Sequence, residues 1–225
     1  MKIAMICVSI LSLGLIAAMP VSEPLRDRII ADAQAMPPAS LDFNRTTTMM
    51  KISPVGTTKV TTTENWNGKA WTLMSVNGKL PTAHEKHDAE KLAAADPVPG
   101  YHSLAALLSA SSYSAKDDQG RTVLRIPVLP PGSVRADGGD ISSHLKAEVT
   151  LSARGGQPWA EQVRVTARET FKLNALITVN TFEQVSDYKL DANGKPRLTS
   201  QSADSLGSMF GFSGGEKRET TYAYH

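Results

Sequence analysis

Ser213 stands between Gly211 and Gly215, in a pattern that matches by letter the Gly-x-Ser-x-Gly motif of serine hydrolases. In those enzymes a strand-to-helix turn exposes the serine, and an acid and then a histidine follow later in the chain. Here ten residues follow Gly215, and they contain His225 but no Asp and no room for that helix. A hydrolase at Ser213 is therefore kept only as a remote alternative to a glycine-rich loop.

The segment His84-Glu85-Lys86-His87 resembles the zinc-binding His-Glu-x-x-His signature but is one residue shorter. Two histidine ligands on one helical face need a spacing of four residues, whereas here the spacing is three. No third ligand follows at a recognised spacing. We expect an exposed polar helix at this position, and we predict neither a metal site nor any other cofactor.

Glu161 and Glu169 lie on the otherwise apolar face of one predicted strand, eight residues apart. The carboxylates of a glycosidase lie roughly 5 to 10 Å apart. Eight residues of strand span about 26 Å, at about 3.3 Å per residue. The two side chains cannot work as a pair, and no catalytic residue is predicted.

Large apolar side chains surround Ser213. The glycines of residues 206–215 indicate a loop, and this loop carries Met209, Phe210 and Phe212. Exposed apolar residues on such loops often make contacts. Two interpretations stay open, an idle flexible loop or a mobile apolar lip that touches a lipid or a partner. Peripheral contact of the protein with a membrane is also possible.

The first 22 residues have the features of a secretory signal peptide. Lys2 is followed by a mainly apolar run without a charged residue over residues 3–19, and a cut is expected after Ala18 or Ser22. An uncleaved membrane anchor is the alternative, but a spanning helix usually needs about 20 apolar residues. We therefore expect an exported protein whose residues 23–225 form one domain.

Cysteine content and charge exclude several classes of function. Cys7 is the only cysteine and lies inside the signal peptide, so the exported chain would have no disulfide, thiol catalysis or iron–sulfur cluster. The formal net charge is +2, and no run of Lys or Arg stands out. Nucleic acid is therefore not predicted as a partner.

Two Asn-Gly turns, at residues 67–68 and 77–78, bracket a short strand over residues 70–76. Both central positions of such turns need positive φ, which Gly accepts freely and Asn tolerates. Trp66 and Trp71 flank the first turn, so they are close enough to pair across the strands and fix their register. Contact of Trp71 with a ligand is the alternative.

Three helices are predicted. An amphipathic pattern covers residues 23–36, and Thr82 and Glu85 form a capping box that begins an exposed helix over residues 83–95. A third, short helix carries the large apolar residues Leu104, Leu107 and Leu108 and should be buried. Together with the exposed helix it forms a helical insertion over about residues 82–110.

Alternating apolar and polar residues predict a run of long antiparallel strands. Right-handed twist accumulates across seven or more such strands, so the sheet must curl over something. We therefore predict a mainly β (α+β) fold, a curved antiparallel meander or half-barrel wrapped around short helices. Besides residues 70–76, the predicted strands cover residues 39–53, 57–66, 113–116, 122–129, 145–154, 159–171, 175–190, 196–205 and 217–225.

One passage, Trp-x-Leu-x-x-Val-Asn-Gly-Lys-x-Pro-Thr over residues 71–82, suggests a family. Together with the N-terminal helix, the helical insertion and the closing strand that ends in Tyr222-Ala-Tyr224, it resembles the LolA/LolB-like periplasmic half-barrel proteins. Known members are not enzymes. They carry the acyl chains of lipoproteins in an apolar cavity under a curved sheet, with helices as a lid.

The resemblance implies a periplasmic, non-enzymatic protein that binds a lipid, a lipoprotein acyl chain or another apolar ligand in the concave face of the sheet. Burial of the ligand would contribute about 0.8 kcal/mol per methylene. One alternative is a cell-envelope interaction or scaffold protein whose sheet is filled by its own side chains, and the remote one is the hydrolase at Ser213. The candidate ligand contacts are Trp71, Leu104, Leu107, Leu108, Met209, Phe210 and Phe212.

Overall fold

The computed structural model describes residues 24–93, 97–136, 139–152 and 157–225, and the predicted signal peptide lies outside these ranges. Within them the chain forms helices α1 (Pro24–Gln34), α2 (Ala83–Ala93) and α3 (Ser103–Leu107). The strands are β1 (Phe43–Ser53), β2 (Gly56–Trp66), β3 (Trp71–Val76), β4 (Tyr113–Lys116), β5 (Thr122–Ile126), β6 (Arg135–Ala136), β7 (Gly139–Asp140), β8 (Leu145–Ser152), β9 (Trp159–Ala167), β10 (Phe171–Lys172), β11 (Ile177–Leu190), β12 (Pro196–Met209) and β13 (Phe212–Tyr224).

Eleven of these described strands form one antiparallel sheet, which curves but does not close into a barrel. The order is β3-β2-β1-β13-β12-β11-β9-β8-β5-β4, with β10 paired to β11 and with β6 and β7 forming a separate small hairpin. The predicted fold class is confirmed. None of the helices in the described part of the chain combines the length and the apolar character that a membrane span needs.

The helical insertion crosses the sheet from one edge to the other. Strand β3 lies at one edge and β4 at the opposite edge, and α3, which comes between them in the chain, packs on one face of the sheet. We call this face, which carries α1 and α3, the inner face, and the other the outer face. Leu104 of α3 is 1% exposed and Leu108 is fully buried, which confirms the prediction that this short helix is covered.

The core lies between α1, α3 and one half of the inner face. Helix α1 buries Ile29 and Ala33, as its amphipathic pattern predicts, and it packs against α3. The hydroxyl of Tyr101 accepts a hydrogen bond from the backbone N–H of Ala160 (2.9 Å), which ties the segment before α3 to β9. The sheet contributes apolar residues from nine strands, among them Phe43, Trp66, Leu124, Val149, Val163, Tyr188, Leu198 and Tyr222.

The predicted capping box begins α2. The Glu85 carboxylate accepts hydrogen bonds from the backbone N–H (2.7 Å) and the hydroxyl (2.8 Å) of Thr82, and these bonds lower the pKa of Glu85. The Thr82 hydroxyl in turn accepts from the backbone N–H of Glu85 (3.3 Å). Two otherwise unpaired donors at the helix start are thus satisfied within four residues.

The prediction of a loop over residues 206–215 is wrong, because these residues form the ends of β12 and β13 and a two-residue turn. Phe210 and Gly211 have φ of 52° and 82°, the positive values that a tight hairpin turn requires. The glycines allow strands to approach closely, since a Cβ on Gly207 would lie 2.3 Å from the backbone oxygen of Thr178. Glycine here reflects close strand packing instead of a flexible loop.

Candidate functional site

Helices cover only one half of the inner face. In β1 the fully buried Phe43 lies in the core, and Met49, six residues farther along, lies on the same face because side chains alternate. Met49 pairs with Val60 on one side and Arg218 on the other, and Arg218 pairs with Ala203. Met49, Val60 and Ala203 are half-buried, and they lie outside the core cluster that the helices form with the sheet. We call this area the open inner face.

A row of hydroxyl and amide side chains separates the core from the open inner face. The row crosses five neighbouring strands in register, and its members are Thr62, Thr47, Thr220, Gln201 and Ser186. The Thr47 and Thr220 hydroxyls lie 3.0 Å apart, and the Gln201 amide donates to the Ser186 hydroxyl over 2.9 Å. We call this row the polar belt.

The belt can satisfy its own polar groups because neighbouring strands hold them at hydrogen-bond distance. Thr220 and Ser186 are each 5% exposed, so water reaches them little. Buried polar groups cost little free energy when they are paired in this way. An acyl chain that crossed the belt would gain less free energy from burial than one that stopped short of it. The belt therefore marks the inner limit of the open inner face.

The open inner face ends, on the side away from the polar belt, at three connections between strands. These three connections lie next to one another. Residues 53–56 join β1 to β2, residues 173–176 join β10 to β11, and residues 210–211 join β12 to β13. The backbone N–H of Phe210 donates to the Leu176 carbonyl over 3.0 Å, which holds two of these connections together. The exposed apolar residues here, which we call the hairpin-tip end, are Ile52, Val55, Leu176, Leu206, Met209, Phe210 and Phe212.

Trp71 lies at the other end of β2 and β3, away from the hairpin-tip end. Its ring centroid is 5.4 Å from that of Trp66 and 5.5 Å from that of Phe43, and the Arg45 guanidinium lies 3.9 Å above it. Arg45 also pairs with Glu64 over 2.7 Å. Trp66 and Trp71 are directly opposite each other in the register, so the predicted cross-strand pair is confirmed.

The remaining candidate contacts divide into two groups. Leu104 and Leu108 are covered by the protein's own side chains, and Leu107 is half-buried at the edge of the same cluster. Met209, Phe210 and Phe212 are more than half exposed at the hairpin-tip end. The structure therefore does not bring the seven residues together, and only the second group offers a surface to a ligand in this conformation.

The geometry gives no support to hydrolysis at Ser213. This residue lies within β13, paired with Ser208, instead of on a strand-to-helix turn. His225 follows the opposite end of the same strand, twelve residues away, which corresponds to about 40 Å. The hydroxyl therefore has neither the exposed turn nor the nearby histidine of that chemistry.

The other polar clusters of the sequence have structural surroundings. His84 pairs with Asp88 over 3.3 Å on the exposed surface of α2. Glu161 is the extra residue of a β-bulge in β9 and lies 3.8 Å from Arg121, which corrects its predicted place on the apolar face. Within the described ranges no three His, Cys, Asp or Glu side chains are grouped as metal ligands.

Two clefts lie away from the open inner face. One, of about 400 Å³, lies near the end of β13 that is opposite to the tips, between Tyr224, Arg197 and Asp191. The other, of about 250 Å³, lies on the outer face and is lined mainly by charged and polar residues such as Asp117 and Arg121. In the second cleft Arg121 pairs with Asp117 over 2.7 Å, which leaves that charge largely neutralised.

Sequence reasoning missed the polar belt and the meeting of the three tips. A signal for the belt was present, because the runs Thr46–Thr48 and Thr61–Thr63 place threonines opposite each other once β1 and β2 are paired. The meeting of the tips depends on the pairing of β1 with β13, which are about 170 residues apart.

No protein-family model matches the chain, and neither a curated protein nor a solved structure is significantly similar to it.

Proposed function

We propose that this protein binds a lipid, or the acyl chain of a lipoprotein, on the open inner face, with access from the hairpin-tip end. One observation carries the proposal. Half of the inner face is uncovered and carries apolar side chains such as Met49, Val60 and Ala203, and this half continues into the exposed apolar residues of the tips. A soluble protein rarely leaves such a surface without a contact to make.

The polar belt supports the same ligand class. A lipid has an apolar and a polar part, and the open inner face offers apolar residues next to hydroxyls and to the exposed Arg218. Each buried methylene would contribute about 0.8 kcal/mol, so burial of five or six would give about 4 to 5 kcal/mol. We further propose that the chain is exported to the periplasm and is a LolA/LolB-like carrier, as the passage over residues 71–82 suggests.

The test compares two neighbouring residues on opposite faces of β12. Ala203→Trp would fill the open inner face, whereas Ser202→Trp adds the same side chain to the outer face. We expect Ala203→Trp to weaken the binding of a fluorescent fatty acid by roughly tenfold, and Ser202→Trp to leave it within about twofold.

Native mass spectrometry of the protein from its producing cells supplies a second readout, the mass of a co-purifying lipid. The proposal fails if the wild-type chain carries no lipid and binds no fatty acid. It also fails if the two Trp variants bind the probe equally well.

A scaffold protein of the cell envelope with no small ligand is the second candidate. It is favoured by the full burial of Leu104 and Leu108, because these side chains fill the inner face beneath the helices. If the wild-type chain binds no acyl probe, and if shortening Leu108 creates no binding either, the scaffold becomes the better interpretation.

A further inference from the structure

We propose that the hairpin-tip end is a wedge that inserts into the surface of a bilayer containing anionic lipids. This goes beyond the proposed function, because it requires no ligand on the open inner face. The occupant is a membrane surface, and the argument rests on the distribution of apolar side chains over both faces, on the rigidity of the tips and on charge.

Apolar side chains surround the sheet on both faces at this end. Met209 and Phe212 are directly opposite each other on the inner face, and Ile177 pairs with Met209 on its other side. On the outer face Ile52 and Leu206 flank Gly215, which has no side chain to separate them. A protein partner docked on one face would leave the apolar residues of the other face exposed to water, whereas a bilayer surrounds both faces.

The exposed aromatic residues are held outward by paired strands. Phe210 is 65% and Phe212 68% exposed, at and directly after a two-residue turn with positive φ at both central residues. A Cβ on Gly214 would lie 2.9 Å from the Ile52 backbone oxygen, so the strands behind the tip approach closely. A preorganised apolar tip loses little conformational freedom on insertion.

The charge around the tips matches an anionic surface. Residues 50–60, 168–180 and 203–218 contain six Lys or Arg and three Asp or Glu, so this end has a net charge of +3, compared with +2 for the whole chain. Lys51, Lys59 and Lys172 are exposed and have no ion pair within the described ranges. Basic residues next to an apolar surface favour binding to anionic headgroups.

The depth of Lys51 agrees with the depth of the apolar residues at the tip. In the strand register Lys51 lies directly opposite Glu216, which is four residues from Phe212. At about 3.3 Å per residue this places Lys51 about 13 Å behind the tip. Interfacial segments bury their apolar part about 5 to 10 Å deep, so Lys51 would lie at the level of the headgroups when Phe212 is inserted.

Flotation of the full chain with vesicles tests the wedge. Vesicles of phosphatidylcholine alone are compared with vesicles that also contain phosphatidylglycerol. The double variant Phe210→Asn and Phe212→Ser removes both aromatic rings, and Asn tolerates the positive φ of position 210. The matched control is Leu80→Ser and Leu92→Ser, which removes two apolar residues elsewhere that are at least as exposed, at 91% and 68%.

We expect the wild-type chain to float with the phosphatidylglycerol vesicles, and the tip variant to lose roughly tenfold or more of this binding. The control should stay within about twofold, and Lys51→Glu with Lys59→Glu should abolish the preference for phosphatidylglycerol. In the single variant Phe212→Trp we expect a blue shift of tryptophan emission on addition of these vesicles, because the ring enters an apolar medium. Equal losses in the tip and control variants, or no binding by the wild type, overturn the proposal.

The two proposals fail separately. Ala203→Trp should lose the fatty-acid probe and keep vesicle binding, because it alters only the open inner face. If this variant loses both, the tips bind vesicles only through an extracted lipid and the wedge is refuted. If the wild type floats with vesicles but binds no fatty acid, the wedge stands and the acyl-binding function fails.

Discussion

Shortening Leu108 to Ala is the sharpest probe of how the inner face is filled. The Leu108 side chain is fully buried at the end of α3, where it lies in the core between the insertion and the sheet. Leu→Ala removes three carbons, which corresponds to about 2.4 kcal/mol of lost transfer free energy at about 0.8 kcal/mol each. The cavity left behind adds to this, so we expect the free energy of unfolding to fall by about 3 to 4 kcal/mol.

Urea denaturation followed by tryptophan fluorescence measures this loss, since Trp66 and Trp71 lie in the same core. The midpoint should fall while the dependence on urea stays unchanged, because the surface exposed on unfolding is nearly the same. Leu92→Ala in α2 is the matched control. Its side chain is 68% exposed, so its unfolding free energy should change by less than about 0.5 kcal/mol.

A loss below about 1 kcal/mol for Leu108→Ala, close to that of the control, would refute the reasoning. It would mean that α3 does not cover the inner face in solution. The ligand site would then extend beneath the helices to Leu104 and Leu108, as the sequence suggests. A full loss together with unchanged binding of the fatty-acid probe would place the site beyond the polar belt.

Three further predictions concern stability. Gly207→Ala should lower the free energy of unfolding by at least about 2 kcal/mol in urea titrations, because the new Cβ meets backbone of the adjacent strand, whereas Ser208→Ala should cost less than about 0.5 kcal/mol. Burial lowers the pKa of His102 below its ordinary 6.5. The contribution of this residue to stability should therefore be fully present above pH 6.5 and be lost as the pH falls below it. His102→Gln should flatten this part of a profile of melting temperature against pH. Glu64→Gln leaves Arg45 mostly covered without its carboxylate, and we expect a loss of about 2 kcal/mol that the further change Arg45→Met reduces in a double-mutant cycle. The stated cause fails for Gly207→Ala if its loss of unfolding free energy is no larger than that of Ser208→Ala. It fails for His102 if His102→Gln leaves the pH profile unchanged, and for the ion pair if the losses at Glu64 and Arg45 are additive.

Short-range features of this chain could be predicted from the sequence because their causes are local. The capping box of α2 needs only Thr82 and Glu85, and the turn after β3 needs Asn77 and Gly78, whose φ values are 49° and 75°. Strand β8 likewise shows its buried face in its own alternating residues from Leu145 to Val149. Each of these causes lies within a few residues of its effect.

Features that depend on pairing between distant segments could not be predicted. The glycines at positions 207 and 214 indicated a loop, yet each is required by a backbone oxygen of a neighbouring strand, Thr178 or Ile52. The polar belt arises only when five strands are aligned in register. The separation of the candidate contacts into buried and exposed groups has the same cause, because burial of Leu104 depends on which part of the sheet the insertion crosses.

The position of β13 in the strand order has a consequence for the way the chain folds. β1 to β3 form one local meander and β11 to β13 another, and the two are joined only by the ladder between β1 and β13. This ladder closes a loop of about 170 residues, so its formation carries a large entropic cost and should be slow. Until residue 224 has been synthesised, β1 presents an unpaired edge rich in threonine and methionine. A factor that shields this edge would raise the yield of folded protein.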